Sequence, residues 1–316
     1  MSKVLITGGA GNVGGALARK LVENPNYHVV IVDNLSTGSK TKLPSNEYKN
    51  WSFVYCDVNN YQEFSEVMIA NKFDYVFHYA AVVGVKRTQD NPIKVLDDID
   101  GIKNVLRLAK NTSVKRIFYS SSSEVYGEPV EMPQHEHTTP LNSRIPYAVV
   151  KNVGESFFRS YKKSYDLDFT IFRFFNTYGP NQSVDFVVAK FLEKALKGED
   201  ITVYGDGSQT RTFCYIEDNV DTCIKILEND LENNNVINIG GEIEVSILEL
   251  AQLIIEETSS SSKIVHLAPL EEGDMTRRMP DNSKMKNILG RPLLPVRKGV
   301  NKMIKDPVFL KNIGMD

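Results

Sequence analysis

Apolar residues along the first 174 positions follow two alternating patterns. Short runs rich in Val, Ile and Phe predict buried strands, and apolar residues between them recur at a step of four, which is typical of helices packed on a sheet. Val13, Leu17 and Leu21 show this step, as do Val105 and Ala109. The alternation predicts an α/β fold with a Rossmann-type, doubly wound parallel sheet. The predicted strands are Lys3–Thr7, His28–Asp33, Ser52–Cys56, Tyr75–Tyr79, Arg116–Ser120 and Asp168–Phe174.

Beyond Gly179-Pro180 the regular alternation stops, and shorter elements follow one another. We therefore expect residues 1–175 to form the sheet domain and residues 176–316 to form mainly a smaller mixed α/β lobe. The pattern is compatible with a return of the chain to the first domain. The predicted elements of the lobe are helices near Phe186–Lys197 and Ile247–Glu257 and strands around Ile201–Tyr204 and Arg211–Tyr215.

The composition narrows the class of protein. Of the 316 residues, 41% are hydrophobic and 24% are charged, which is typical of a soluble globular chain, and no apolar run reaches the ~18–20 residues that cross a bilayer. The N-terminus enters a strand pattern at once instead of forming a secretion signal, so we expect a cytoplasmic protein that binds no membrane. The 37 basic and 40 acidic residues form no long block, and nucleic acid is not expected as a partner. Cys56, Cys214 and Cys223 form no CxxC pair, so no metal site is expected.

A glycine-rich loop joins the first predicted strand to the first predicted helix. Gly8, Gly11 and Gly14 permit a tight turn and close approach of the backbone to a pyrophosphate, which then sits at the helix N-terminus. Such a triplet alone also occurs in simple turns. Asp33, however, ends the second strand about 20 residues later, where its carboxylate can accept hydrogen bonds from a ribose and repel a 2′-phosphate. The two features together predict NAD as cofactor in preference to NADP.

The segment after Asp33 supports the same cofactor. Asn34-Leu35-Ser36-Thr37-Gly38 contains no arginine that could receive a 2′-phosphate. Asp57 closes the third strand, where a polar side chain could meet the adenine amino group. An aspartate that simply starts a loop is an equal interpretation of that position.

Tyr147 and Lys151 stand four residues apart in a segment of helical period, so both side chains lie on one face. A phenol with a pKa of ~10 acts as a base at neutral pH only if a nearby cation favours the phenolate, and Lys151 and an oxidised nicotinamide supply that charge. The preceding strand ends in SSSSEVYG, from Ser120 to Gly127, which places hydroxyls at the carboxyl end of a parallel strand. Serine, tyrosine and lysine are therefore expected to converge on one substrate hydroxyl.

These motifs, taken in order, resemble one branch of a known family. TGGAGNVG, the Asp33-Asn34 pair, HYAA from His78 to Ala81, SSSSEVYG, YAVVK, RFFNTYGP and VYGDGSQTR resemble the nucleotide-sugar epimerases, dehydratases and decarboxylases among the extended short-chain dehydrogenases/reductases. The resemblance covers nearly the whole chain. It implies an NAD-dependent enzyme that oxidises the C4 hydroxyl of a nucleotide-diphosphate sugar bound by the second lobe.

The resemblance also implies roles for single residues. Ser122 is the expected catalytic hydroxyl, Tyr147 the base, and Lys151 the group that lowers the pKa of the tyrosine and holds the nicotinamide ribose. Arg211 and Arg278 match arginines that grip the diphosphate. The residues expected to bind the cofactor are Gly8, Gly11, Asn12, Val13, Gly14, Asp33, Asn34, Ser36, Thr37, Gly38, Asp57, Val58, Ala80, Ala81, Val83, Tyr147, Lys151 and Phe174. Those expected to bind the substrate are Lys86, Ser122, Ser123, Glu124, Asn176, Val188, Tyr204, Arg211 and Arg278.

Glu124 bears on the outcome of the reaction. The 4-epimerases of this family usually carry a small or hydroxyl residue there, whereas similar 4,6-dehydratases and glucuronate decarboxylases often carry a working glutamate. A carboxylate could remove the C5 proton that a C4 ketone acidifies. Ser123, however, stands where many dehydratases place an acid. The sequence thus favours a 4-epimerase or 4-dehydrogenase, with a dehydratase or decarboxylase using Glu124 as the alternative.

The sequence supports three further expectations, about Asp98, about loss of catalysis and about assembly. Asp98 stands where the family often has asparagine, behind the catalytic lysine, and its charge could act on Lys151; a helix-surface aspartate is the plainer interpretation. A catalytically inactive NAD-binding sensor or scaffold is the hypothesis from a different class, and the intact Ser122, Tyr147 and Lys151 argue against it. The resemblance suggests a homodimer or higher oligomer through helices near Pro92–Asn111 and Tyr147–Tyr165, and a role in carbohydrate biosynthesis for surface polysaccharide.

Overall fold

A computed structural model of the chain describes residues 1–269 and 275–315, without the side chains of Val85 and Lys86. The described residues form fourteen strands and twelve α-helices. The strands are β1 Ser2–Thr7, β2 Tyr27–Asp33, β3 Trp51–Tyr55, β4 Tyr75–His78, β5 Arg116–Ser122, β6 Asp168–Phe174, β7 Thr177–Tyr178, β8 Ile201–Tyr204, β9 Thr210–Thr212, β10 Cys214–Tyr215, β11 Asn235–Ile239, β12 Glu244–Ser246, β13 Ile264–Leu267 and β14 Arg277–Arg278. The helices are α1 Asn12–Leu21, α2 Tyr61–Ala70, α3 Val85–Asp90, α4 Pro92–Leu96, α5 Asp98–Ala109, α6 Pro146–Tyr165, α7 Val187–Leu196, α8 Ile216–Glu228, α9 Ile247–Thr258, α10 Ser283–Leu289, α11 Val296–Ile304 and α12 Pro307–Asn312.

A seven-stranded parallel sheet in the order β11-β6-β5-β4-β1-β2-β3 forms the centre of the molecule. Side chains along each strand alternate between two hydrophobic cores, because successive side chains point to opposite faces of the sheet. In β1, Val4 and Ile6 belong to the core under α1 and α8, whereas Leu5 belongs to the core under α2, α5 and α6. Leu17 of α1 and Val105 of α5 fill these two cores. The expected Rossmann-type fold and its six strands are confirmed.

Two features of the sheet differ from the sequence expectation. Strand β5 continues two residues further than predicted, because Ser121 and Ser122 still pair with Arg173 and Phe174 of β6. The seventh strand, β11, comes from the second half of the chain and pairs with β6. Its alternation is obscured by polar residues, one of which is the fully buried Asn238. The boundary placed at residue 175 stays a prediction.

The second lobe is built from short elements around α7, α9 and α11. The single strand predicted over residues 211–215 is divided in two, because β9 pairs with β12 and β14 while β10 pairs with β7. A further parallel pair, β8 with β13, lies beside α7 and α9. Every helix among the described residues is too short or too polar to cross a lipid bilayer.

Helix α6 is fixed to the sheet by a buried ion pair. Glu155 is fully buried and Arg173 of β6 is 1% exposed. Arg173 donates from Nε and Nη2 to the two carboxylate oxygens at 2.8 and 2.7 Å, and Ser121 of β5 donates to Oε1 at 2.7 Å. Burial alone would raise the pKa of Glu155, but the hydrogen bonds and charge of Arg173 hold it below its ordinary value. The pair therefore joins α6 to two strands at one point.

Replacing Glu155 tests this attachment. Glu155→Ala should lower the free energy of unfolding by ~3–5 kcal/mol, because it leaves the Arg173 guanidinium buried without its counter-charge. Arg159→Ala is the matched control, since Arg159 approaches the same carboxylate at 3.4 Å from a side chain that is 46% exposed. That change should cost less than ~1 kcal/mol. Urea unfolding measures both, and equal losses would contradict the assignment.

Candidate active site

A cavity of about 600 Å³ opens at the carboxyl ends of β1, β4 and β5, between the sheet and the second lobe. Parallel sheets usually bind their ligands at this edge. The cavity contains every residue predicted to bind the cofactor except Gly38. From the glycine loop and the sheet it is lined by Gly8, Gly11, Asn12, Val13, Gly14, Asp33, Asn34, Ser36, Thr37, Asp57, Val58, Ala80, Ala81, Val83 and Phe174, and from the helix by Tyr147 and Lys151.

The glycine loop is shaped so that only glycine fits. A Cβ on Gly8 would lie 2.6 Å from the backbone nitrogen of Ala80, and one on Gly14 would lie 2.4 Å from the carbonyl oxygen of Gly8. Gly8 also has a φ of +69°, a conformation that side chains rarely adopt. Helix α1 begins directly after this loop with no acidic residue in its first turn, and within the described chain no side chain caps it at Gly11. Its free N–H groups can therefore receive an anionic pyrophosphate.

Asp33 is held at the end of β2 by the backbone around it. Its carboxylate accepts hydrogen bonds from the N–H groups of Ala10 at 3.0 Å and Leu35 at 2.7 Å. Gly38 packs against this carboxylate, since a Cβ there would lie 2.6 Å from Oδ1, so it supports Asp33 instead of lining the cavity. Each carboxylate oxygen retains a lone pair for a ribose hydroxyl. The glycine cradle and this fixed carboxylate fit NAD.

The three predicted catalytic residues meet at one place. Lys151 is 4% exposed and donates from Nζ to the carbonyl oxygen of Ser120 at 2.6 Å. Its Nζ lies 5.7 Å from the centroid of the Tyr147 ring. The hydroxyl of Ser122 lies near enough to the Tyr147 phenol to lower its pKa, and both residues line the cavity. A substrate hydroxyl placed at this pair could lose its proton to the phenol while the serine hydroxyl orients it.

The electrostatics of the site show what the chain alone does to Tyr147. Burial raises the pKa of Tyr147 above its ordinary value, and the Glu124 carboxylate raises it further, while the Ser122 hydroxyl and the Arg278 charge lower it. Lys151 is not among the main causes. Activation of Tyr147 by Lys151 together with an oxidised nicotinamide therefore stays a prediction, and the protein without that cationic ring holds the phenol neutral.

Asp98 acts on Lys151 from the start of α5. Burial lowers the pKa of Lys151 to about 8, and the charge of Asp98 opposes that shift. The Asp98 carboxylate is half-buried and accepts from the backbone N–H of Val82 at 2.7 Å. Burial also raises the pKa of Asp98 itself. This aspartate is therefore part of the cavity and not a helix-surface residue.

The opposite end of the catalytic group carries a carboxylate and a guanidinium. Glu124 lies in the 3₁₀ turn Ser123–Tyr126, and its Oε1 lies 3.5 Å from Nη1 of Arg278. Arg278 is 6% exposed, and its Nε is buried without a hydrogen-bond partner among the described residues. Both side chains line the cavity, together with Ser122, Ser123, Asn176 and Val188. The contact with Glu124 places Arg278 near Tyr147, and its expected contact with the diphosphate stays a prediction.

Among the residues whose side chains the structure describes, two that were predicted to bind the substrate do not line this cavity. Tyr204 lines a separate cavity of about 520 Å³ together with Arg277. Arg211 is 6% exposed on β9, where it pairs in register with Arg278 of β14, and its Nη1 donates to the carbonyl oxygen of Thr210 at 2.8 Å. The side chain of Lys86 lies outside the described part of the chain.

The residues that fix the catalytic group were missed in the sequence. Glu155 lies one helical turn after Lys151, so the spacing YxxxKxxxE was a usable signal for a second buried position on that face. Arg173 and Tyr126 gave no such signal. Their importance comes from a hydrogen bond of 2.8 Å between them, across 47 residues of sequence.

The chain is similar to known proteins over most of its length. Residues 4–240 match the NAD dependent epimerase/dehydratase family. UDP-glucuronic acid decarboxylase 3 of Arabidopsis thaliana is 35% identical over 96% of this chain and 88% of its own length, and a putative UDP-glucose 4-epimerase of Methanocaldococcus jannaschii is 32% identical over 98% of each chain. A dTDP-glucose 4,6-dehydratase from Streptomyces venezuelae, solved with NAD bound, superposes with a TM-score of 0.90 at 26% identity, over 99% of this chain and 98% of its own.

Cofactor choice gives a test of the Asp33 site. Asp33→Asn should weaken NAD binding about tenfold and narrow the preference for NAD over NADP, because it removes the charge that attracts ribose hydroxyls and repels a 2′-phosphate. Calorimetric titration with both nucleotides measures the two dissociation constants. Asp74→Asn is the control, since Asp74 precedes β4 at the opposite edge of the sheet and bonds Lys3 and Lys115. Equal weakening of NAD and NADP by Asp33→Asn would contradict the role.

The pKa of Lys151 gives a second test. Asp98→Asn should move that pKa below about 8, because the charge that opposes the effect of burial is removed. Since the folded-state pKa lies below the ordinary 10.5, the unfolded chain holds more protons between these values, and stability rises with pH across that window. The window should begin at lower pH in the variant. Lysine side-chain NMR measures the titration, and Asp97→Asn, an exposed neighbour, should leave it unchanged.

Proposed function

Because the chain belongs to the NAD dependent epimerase/dehydratase family, we propose that it oxidises C4 of a nucleotide-diphosphate uronic acid and then releases the C6 carboxyl group as carbon dioxide. The family makes it an NAD-dependent nucleotide-sugar enzyme of the short-chain dehydrogenase/reductase type. The observation that carries the finer proposal is the contact between Glu124 and Arg278 beside Tyr147. A guanidinium with a free N–H is suited to a sugar carboxylate.

The first step uses the group at the end of β5. Tyr147 takes the proton from the C4 hydroxyl, and Ser122 orients that oxygen by a hydrogen bond. Lys151 favours the phenolate by its charge. Bound NAD would supply the hydride acceptor for C4 and the donor from which the hydride returns at the end of the cycle.

The second step follows from the chemistry of the ketone. A C4 ketone makes a C6 carboxylic acid a β-keto acid, whose C5–C6 bond breaks with its electron pair entering the C4–C5 enolate as carbon dioxide leaves. Arg278 holds the carboxylate in the orientation needed for that cleavage. The enolate then takes a proton at C5, and Glu124 is the group placed to exchange it. Return of the hydride to C4 and of the proton to its oxygen completes the reaction.

The Glu124–Arg278 contact favours decarboxylation over the other outcomes. A 4-epimerase turns the ketone over and returns the hydride to its other face, which requires no acid or base near C5. A 4,6-dehydratase needs an acid for the leaving hydroxyl, and Ser123 offers only a buried alcohol. Two relatives named as decarboxylases of UDP-linked uronic acids, 35% and 37% identical, support the same preference and suggest UDP as the carrier. A 4-epimerase is the second candidate, supported by the relative from Methanocaldococcus jannaschii that is named as a putative UDP-glucose 4-epimerase.

The proposal extends to assembly and location. We propose a cytoplasmic homodimer formed through α4, α5 and α6. Apolar side chains exposed on α4 and α6 support it: Ile93 is 71% exposed and Leu96 40% on α4, and Val149 is 39% exposed on α6. Such residues are expected on a surface that a second copy covers.

Product analysis tests the proposed reaction directly. Denaturing the purified protein should release NAD. Incubation with a panel of UDP-sugars and UDP-uronic acids should give a product that is lighter by the mass of carbon dioxide, ~44 mass units, and only the uronic acids should give it. A product of unchanged mass would instead establish the epimerase. Release of a 4-keto sugar with NADH would mean a simple dehydrogenase, and no turnover with any substrate would leave the sensor or scaffold.

Replacing Glu124 separates the two halves of the reaction. Glu124→Gln should retain C4 oxidation, seen as a burst of NADH absorbance, and should slow the decay of that NADH by ~10²–10⁴-fold, because protonation of the enolate at C5, which precedes return of the hydride, loses its acid–base group. Glu128→Gln is the control, since Glu128 is exposed, lies four residues further on and bonds Thr276. An unchanged rate of NADH decay in Glu124→Gln would exclude the assigned role.

A further inference from the structure

The hydroxyl of Tyr126 lies at the centre of a buried hydrogen-bond network behind Glu124. Tyr126 is 1% exposed and ends the 3₁₀ turn that carries Glu124. Its hydroxyl accepts a hydrogen bond from Nη1 of Arg173 at 2.8 Å and donates one to Oδ1 of Asn238 at 2.8 Å. The ring also lies under the Arg173 guanidinium, 4.8 Å from its carbon. One phenol thus connects the turn to β6 on one side and to β11 on the other.

The Arg173 side of this network leads to the catalytic helix. Arg173 is held in place by both carboxylate oxygens of Glu155, one turn after Lys151 on α6. Its Nη1 also donates to the carbonyl oxygen of Glu136 at 3.0 Å. Helix α6 also carries Tyr147, so the same helix positions both Tyr126 and the catalytic phenol.

The Asn238 side leads to the strand that carries Arg278. Asn238 donates from Nδ2 to the carbonyl oxygen of Gln134 at 2.8 Å. The backbone N–H of Gln134 in turn donates to the carbonyl oxygen of Met279 at 2.8 Å, next to Arg278. The hydrogen bonds of the Tyr126 hydroxyl therefore lead to both residues of the Glu124–Arg278 contact.

The turn itself leaves Glu124 little freedom. Its backbone N–H donates to Oγ of Ser122 at 3.2 Å, and its carbonyl oxygen accepts from Gly127 at 3.1 Å. Gly127 has a φ of +67°, and a Cβ there would lie 2.4 Å from Oδ1 of Asn142. The Tyr126 side chain is the anchor between these two ends, and it is shielded from solvent.

We propose that Tyr126 is a positioning residue that holds the Glu124 carboxyl against Arg278 and the substrate, so that it governs the step after C4 oxidation and not the oxidation itself. This inference rests on the proposed function, because it needs a second step in which Glu124 takes part. Tyr126 reaches the reacting atoms only through Glu124 and Arg278.

Tyr126→Phe is the direct test, because it removes the hydroxyl and keeps the ring packed against Arg173 and Phe175. The burst of NADH with a UDP-uronic acid should stay within about threefold of the unchanged enzyme, while decay of that NADH should slow about tenfold, as expected for the loss of one or two buried hydrogen bonds. Released 4-keto sugar should increase accordingly. Stopped-flow absorbance and product mass measure the two quantities.

A double-mutant cycle separates positioning from general damage. In the Glu124→Gln background, adding Tyr126→Phe should slow NADH decay no further, because the group it positions is already gone. Thr170→Val is the matched control: it also removes a buried hydroxyl of β6 that bonds an arginine, Arg116, but at the far end of the strand. Thr170→Val should lower thermal stability about as much as Tyr126→Phe does, but it should leave the ratio of the NADH burst rate to the NADH decay rate unchanged.

A second variant approaches the network from its other side. Asn238→Ala leaves Tyr126 intact and removes the acceptor of its hydroxyl, so it should slow the decay of NADH in the same way if Tyr126→Phe fails to fold. Equal slowing of both steps, an additive cycle or the same effect in Thr170→Val would overturn the positioning role. If the wild-type enzyme forms no NADH with any UDP-sugar, the proposed function itself is wrong. This outcome is distinct from the results above, which contradict only the positioning role of Tyr126.

Discussion

The buried ion pair between Glu155 and Arg173 is the constraint on which the geometry of the site depends. Removing two charges from water is costly, and it is offset here because every polar atom of the pair has a partner from the helix, two strands or the turn. A buried pair of this kind is destabilised when either partner loses its hydrogen bonds, which restricts how the helix and the two strands can move relative to one another. The helix that carries Tyr147 and Lys151 and the strand end that carries Ser122 consequently share a single reference point.

Local patterns in the sequence predicted the parts of the molecule that depend on local chemistry. The strands, the glycine loop, Asp33 and the Tyr147–Lys151 spacing follow from residue type and period within one element or turn. The partners of Arg173 and of Arg278 could not be predicted in this way, since Arg278 meets Glu124 across 154 residues of sequence. Strand β11 escaped prediction for a related reason, because its buried Asn238 is polar and is satisfied only by segments far away.

The cofactor end and the substrate end of the cavity are built differently. The cofactor end uses backbone shape at Gly8 and Gly14 and one carboxylate fixed by neighbouring N–H groups. The substrate end uses charged side chains brought together from the turn after β5 and from β14. Substitutions within the second group alter the contacts offered to the sugar and leave the glycine cradle in place. This division accounts for a common fold among relatives named as epimerases, decarboxylases and dehydratases.

The return of β11 to the central sheet has a consequence for synthesis on the ribosome. Strand β6 ends at Phe174 and its outer neighbour β11 begins only at Asn235, with the whole of α7 and α8 between them. At ~5–20 residues per second, about 3–12 seconds pass during which β6 is an open edge of the nascent sheet. An unpaired edge strand is a template for association with other chains. Protection of the open β6 edge by a chaperone is therefore most useful in this interval, after the first half of the chain has been synthesised.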